Sequence, residues 1–180
     1  MGLLWGDNGP SDGDRIDLIT DDLAVADLAA AWDPDALGRH GIRAVVDASN
    51  RDGNPRFPGI RYHEVRIDDP DEHLTEFLPG VVTFIDEARQ RGRVLLHCVA
   101  GISRSPALAI CYLHERHGLS LAAALQHVRS RRAQVAPHPL FLRLIEDYYR
   151  TRIGDAPRQP APARNLHAIQ DGADGDGDER

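Results

Sequence analysis

The sequence predicts an α/β fold: one domain with a central, mostly parallel sheet flanked by helices. Three observations carry that expectation. The chain has 180 residues, 42% of them hydrophobic and 27% charged, the length and balance of one globular domain with a sizeable core. Short apolar runs of strand type alternate with segments of helical period over residues 23–153, the order that builds a parallel sheet with crossover helices. Outside that body the periodicity stops. Residues 1–22 form an acidic segment expected to be partly disordered, and residues 154–180, rich in Pro, Gly, Ala and Asp, an acidic tail expected to be disordered.

Within the body each element has its own signal. Residues 23–25 are a short strand candidate. Asp33 and Pro34 read as N-cap and first position of a short helix ending near Gly41. Residues 42–48 and 62–67 look like strands, the first largely buried. From 74 to 91, Leu74, Phe77, Leu78, Val81, Val82, Ile85 and Ala88 recur at helical spacing, with Gly92 as a stop and Pro79-Gly80 as a candidate kink. Residues 93–97 form a buried strand, and residues 106–117 a helix apolar on nearly every side, ended by Gly118. Such a helix belongs in the middle of a domain. Ser120 caps another helix, and Pro139 opens a last one to about Arg152.

The net charge of −7 is unevenly placed. Residues 1–22 carry −5 and residues 154–180 carry −3, leaving the body near +1 and free to host a local positive site. All 21 basic residues are Arg, which reads as codon bias. No apolar run approaches the ~20 residues of a membrane-spanning helix. Residues 1–6 lack the basic and apolar regions of a secretory signal, and Gly6 stands where a myristoylation signal needs Ser or Thr. A cytoplasmic address, with no membrane partner, is expected. The two cysteines, Cys98 and Cys111, fit neither a disulfide framework nor zinc spacing. The nine histidines form no metal pair, and the Asp-Gly run from Asp171 ends before a calcium loop is complete, so no metal is expected.

The chemistry is concentrated in His97-Cys98-Val99-Ala100-Gly101-Ile102-Ser103-Arg104-Ser105. A strand, a tight loop and a helix N-terminus in that order make an anion site, because backbone N–H groups converge and the helix dipole adds positive charge. Gly101 gives the loop its freedom to curl, and Arg104 offers a planar fork for two oxygens of one phosphate. A thiol beside a helix N-terminus and a cation is favoured as thiolate. Cys98 is therefore the candidate nucleophile, aimed at phosphorus and in need of a general acid for its leaving group.

His-Cys-x5-Arg-Ser resembles the signature of the cysteine-dependent phosphatases, and HCVAGISRS resembles the dual-specificity protein phosphatase branch. The likeness covers about residues 23–149 and implies a protein-tyrosine-phosphatase-like fold. It implies catalytic roles for Cys98 and Arg104, a phosphate loop of Val99, Ala100, Gly101, Ile102, Ser103 and Arg104, and Ser105 hydrogen-bonded to the departing thiolate. It also implies a phosphocysteine intermediate and no cofactor. The general acid in that family is an Asp about thirty residues before the cysteine. Counting back from Cys98 selects Asp68; counting forward from the strand selects Asp69, preferred because a loop absorbs a deletion more easily than a strand. The family more often shows Pro-Asn where this chain has Pro137-His138.

Blander readings stand beside these. Cys111 reads as a core residue, with redox partnership to Cys98 as the lesser alternative. His97 reads as a supporting brace for the loop, Arg131-Arg132 as a solvated helix end, Ser103 as a loop residue without a task, and the Asp68-Asp69 turn otherwise as a solvated one. The leading functional expectation is a phosphatase of phosphotyrosine and phosphoserine or phosphothreonine in proteins, since Val99, Ala100, Ile102 and Ser103 are uncharged. The resemblance places Lys at such positions in members acting on anionic inositol lipids. The alternatives are a phosphatase of a phosphoglycan, a nucleotide or an RNA 5′ end, and a phosphate-binding module without turnover. No basic, aromatic-interleaved stripe supports a nucleic-acid partner.

Overall fold

The computed structural model describes residues 15–152. The Met1–Gly6 region, most of the acidic N-terminal segment and the tail at 154–180 lie outside the described residues. The elements are β1 (Asp17–Leu18), β2 (Leu23–Ala26), α1 (Leu28–Ala31), α2 (Pro34–Arg39), β3 (Ile42–Asp47), β4 (Arg61–Glu64), α3 (Leu74–Ala88), β5 (Arg93–His97), α4 (Arg104–His117), α5 (Leu121–Arg131) and α6 (Pro139–Arg152). The sheet runs β1-β2-β5-β3-β4, parallel throughout except for the β1/β2 pair.

Strand periodicity sorts the core into two layers. On β5, Val94 and Leu96 point to one face and Leu95 to the other. The first face packs against α3, α4, α5 and α6; the second against Ala30, Ala31, Ala36 and Leu37 of α1 and α2. With both faces covered, β5 reads as an unbroken apolar run, and residues 105–113 of α4 are all buried.

Register places the site. His97 pairs with Ala26 of β2 and Asp47 of β3, so three parallel strands end together and their carboxyl ends face one crevice. α4 starts at Arg104, two residues before the predicted start. Pro106 then lies in the first turn, where no N–H is needed within the helix.

Other departures have local causes. β4 covers 61–64 where a strand over 62–67 was expected, because after the Val65 N–H bond to Asp47 O the chain turns, with Ile67 N donating to Val65 O. α1 escaped periodicity reading because it has four residues; Asp27 caps it by accepting from Ala30 N at 2.9 Å. α3 continues through Pro79 and ends at Ala88. β1 lies upstream of residue 23, and Ile16 and Ile19 beside it are buried. Among the described residues no helix is long and apolar enough to cross a membrane.

Candidate active site

Cys98 follows the last residue of β5 and is 2% exposed. Its Sγ accepts hydrogen bonds from the Gly101 amide at 3.2 Å and the Ser105 hydroxyl at 3.3 Å. Gly101 has φ +65°, and a Cβ there would sit 2.6 Å from Ala26 O and from Arg132 Nη2. Only glycine fits, on conformation and on space. The loop closes directly onto the N-terminus of α4, whose first-turn N–H groups lack intrahelical partners. An anion over Cys98 would therefore meet a ring of donors.

Arg104 stands in the first turn of α4. Its Nη1 donates to Ser49 O at 3.0 Å and Ile67 O at 3.4 Å, while Nε is buried and has no hydrogen-bond partner. Two carbonyls beyond the ends of β3 and β4 thus fix the plane of the guanidinium and leave Nε–H to donate elsewhere. Asp69 Oδ2 lies 4.0 Å from that Nε, and Asp69 Oδ1 accepts from Ser103 Oγ at 2.8 Å. Asp68 behaves differently: its Oδ1 accepts from Asn50 Nδ2 at 2.7 Å on the exposed side of the turn.

The turn after Ile67 is shaped by Asp71. Its carboxylate accepts from the amides of His73 and Asp68 and lies 3.0 Å from His73 Nδ1. The two amide bonds hold the Asp71 carboxyl below its usual range, and the bond to Asp71, then Glu76, pushes His73 up.

Behind the loop lies a buried polar cluster. His97 Nδ1 is 3.2 Å from Cys98 O and its Nε2 3.4 Å from Asp47 Oδ1; burial pushes the imidazole pKa down. Asp47 accepts from Ser49 N, Ser49 Oγ and Asn54 Nδ2. Burial would raise its carboxyl, but His97 and the Ser49 and Asn54 bonds outweigh that and hold it low. Asp47 thus orders the turn that presents Ser49 O to Arg104. Its sequence signal is an apolar strand ending in Asp-x-Ser, an Asx turn.

Arg132 corrects the expectation of a solvated helix end. Its side chain is fully buried, with Nε donating to Gly101 O at 2.8 Å, Nη2 to Ala100 O at 3.3 Å and Nη1 to Asp17 Oδ2 at 2.6 Å. A cation under the loop thus takes the carbonyls that point away from the cup. Ser103 likewise has partners: besides Asp69, its Oγ accepts from His138 N at 3.0 Å. Val99 and Ile102 are 41% and 37% exposed, forming an apolar rim. Ala100 is also exposed.

Cys111 lies in the α4 core, its Sγ 3.2 Å from Tyr149 OH, and burial pushes its thiol up to about 12. Six residues of helix, ~9 Å of axial rise, separate it from Ser105, which touches the Cys98 sulfur. Both cysteines are free thiols. Among the described residues no cluster of His, Cys, Asp or Glu is arranged to hold a metal.

Known proteins are similar to this chain in sequence and in fold. The family model for the dual specificity phosphatase catalytic domain matches residues 26–151. Dual specificity protein phosphatase 1 of Arabidopsis thaliana is 38% identical over 145 residues, 78% of this chain and 69% of that relative. Human dual specificity protein phosphatase 7 is 34% identical over 121 residues, 65% of this chain but 29% of its own length. The crystal structure of human DUSP28 superposes with TM-score 0.71 and 27% identity, covering 79% of this chain and all of that one.

Proposed function

Because the chain belongs to the dual specificity phosphatase family and is a protein phosphatase, we propose that it hydrolyses phosphotyrosine and phosphoserine or phosphothreonine monoesters through a phosphocysteine at Cys98. The observation that carries this reading is the Cys98 sulfur between the Gly101 amide and the Ser105 hydroxyl, with the Arg104 Nε, which has no hydrogen-bond partner, and the Asp69 carboxyl at the same cup.

In the first step the Cys98 thiolate attacks phosphorus in line. The S–P bond forms as the P–O bond to the substrate breaks, and Asp69 gives its proton to the leaving oxygen. Loop amides of residues 99–104 and the Arg104 fork hold the three equatorial oxygens, donors placed before the charge develops. In the second step the Asp69 carboxylate takes a proton from water, and the water oxygen attacks phosphorus. The S–P bond breaks, and the returning thiolate is met by the Ser105 hydroxyl. Each step of this scheme uses only side chains, loop amides and water.

Asp69 is preferred over Asp68 as the acid because it lies toward Arg104 while Asp68 is engaged with Asn50. The uncharged loop positions and the apolar rim of Val99 and Ile102 support a monophosphate on a protein over a polyanionic lipid. Two free thiols support a reducing, cytoplasmic setting. Initial rates on a panel of phosphopeptides, phosphoinositides and phosphoglycans test the proposal. It expects turnover of phosphopeptides bearing phosphotyrosine and phosphothreonine; turnover confined to lipids or glycans would overturn it.

A further inference from the structure

The two-step scheme leaves one loop group without a part: the hydroxyl of Ser103, 8% exposed. Its Oγ lies 2.8 Å from Asp69 Oδ1 and 3.0 Å from the amide nitrogen of His138. An amide N–H only donates, so it occupies a lone pair of Oγ, and the single hydroxyl proton turns to Asp69 Oδ1. That oxygen is thereby an acceptor. A proton on Oδ1 would either oppose the hydroxyl proton or leave the latter without an acceptor in a buried position. The other oxygen, Oδ2, lies on the side of Arg104, 4.0 Å from its Nε.

We infer that Ser103 is a positioning residue that addresses the acid: its hydrogen bond to Asp69 Oδ1 holds the carboxyl at the cup and confines the transferable proton to Oδ2. The inference rests on Asp69 being the general acid. When the P–O bond breaks, the Oδ2–H bond breaks with it; the proton goes to the leaving oxygen and the electron pair stays on the carboxylate. The Ser103 bond strengthens as that charge appears on the carboxylate. His138 serves through its backbone N–H, while its ring Nδ1 accepts from Leu140 N at the start of α6. A side chain other than Asn is therefore compatible at 138.

The test is kcat/KM for aryl phosphates with leaving groups of graded pKa, measured for Ser103→Ala, Ser103→Thr, Asp69→Asn and the Ala/Asn double variant. Loss of a hydrogen bond to a charged group predicts a fall of about ten- to a hundredfold for Ser103→Ala on the most basic leaving groups. The most acidic leaving groups, which need little protonation, should change by less than about threefold, and vanadate inhibition should be equally little affected. Ser103→Thr, which keeps the hydroxyl, should restore the steep substrates. In the Asp69→Asn background Ser103→Ala should add nothing. A uniform loss across all leaving groups, or an undiminished effect in that background, would overturn the role given to Ser103 and leave Asp69 standing. If Asp69→Asn itself shows no dependence on leaving group, the acid is elsewhere and the inference falls with it.

Discussion

Arg104→Lys keeps a positive charge and removes the planar fork. In the native site Nη1 is committed to Ser49 O and Ile67 O at 3.0 and 3.4 Å, while Nε is buried, without a hydrogen-bond partner and 4.0 Å from Asp69 Oδ2. A lysine ammonium is one point of charge. Where it meets the two carbonyls it leaves the cup, and where it meets a phosphate oxygen it leaves the carbonyls and loses its fixed direction. A hydrogen bond to a charged group is worth ~1.5–3 kcal/mol, so losing two from the transition state costs about 3–6 kcal/mol, or ~10²–10⁴ in kcat. Steady-state turnover of para-nitrophenyl phosphate gives kcat and KM, vanadate inhibition reports oxyanion binding, and thermal unfolding reports the fold. The expected pattern is a collapse of kcat with a smaller rise in the vanadate constant and an unfolding temperature within a few degrees of the parent. A kcat within about fivefold of the parent, ~1 kcal/mol, would refute the clamp.

Asp69→Asn should lower kcat/KM by ~10²–10⁴ for basic leaving groups and far less for acidic ones, while Asp68→Asn leaves both near the parent. The reverse pattern would move the acid to Asp68. Arg132→Gln removes a fully buried cation from Asp17 and from the Gly101 and Ala100 carbonyls. Breaking such a pair costs ~3 kcal/mol, so calorimetry should show the unfolding temperature falling by about 10 °C, and a shift under ~3 °C would contradict the bracing role. The Cys111 thiol, pushed up to about 12, stays protonated at neutral pH. Iodoacetamide should therefore label Cys98 and spare Cys111 until the chain is unfolded; equal labelling of the folded protein would contradict that burial.

What could be read in the sequence was what is contiguous in it. The strand at 93–97, the loop after it and the helix that follows are neighbours in the chain, so their residue types alone specify an anion site at Cys98. Capping and periodicity likewise place α2, with Asp33 accepting from Asp35 N and Ala36 N, and α5, with Ser120 accepting from Ala123 N. The supporting residues are a different case. Arg132 meets Gly101 O across 31 positions, Ser103 meets Asp69 across 34, and Arg104 meets Ser49 O across 55. Nothing local distinguishes an arginine at a helix end that folds under a loop from one that points to water. The choice between Asp68 and Asp69 depends on the path of the turn after Ile67, which Asp71 sets by binding the Asp68 and His73 amides. Asp47, the buried carboxylate behind His97, carries a local Asp-x-Ser signal, but its contact with His97 is made across neighbouring strands.

The account stands on phosphorus being passed to the sulfur of Cys98. Ser105→Ala removes the hydroxyl that lies 3.3 Å from that sulfur and should slow release of the thiolate more than its attack, so the intermediate accumulates. Mass spectrometry of this variant, denatured rapidly during turnover of para-nitrophenyl phosphate, is the most direct measurement. The account predicts one phosphate on the peptide that contains Cys98, absent from Cys98→Ser treated identically. Continued turnover with phosphate on another residue, or undiminished turnover by Cys98→Ser, would contradict it.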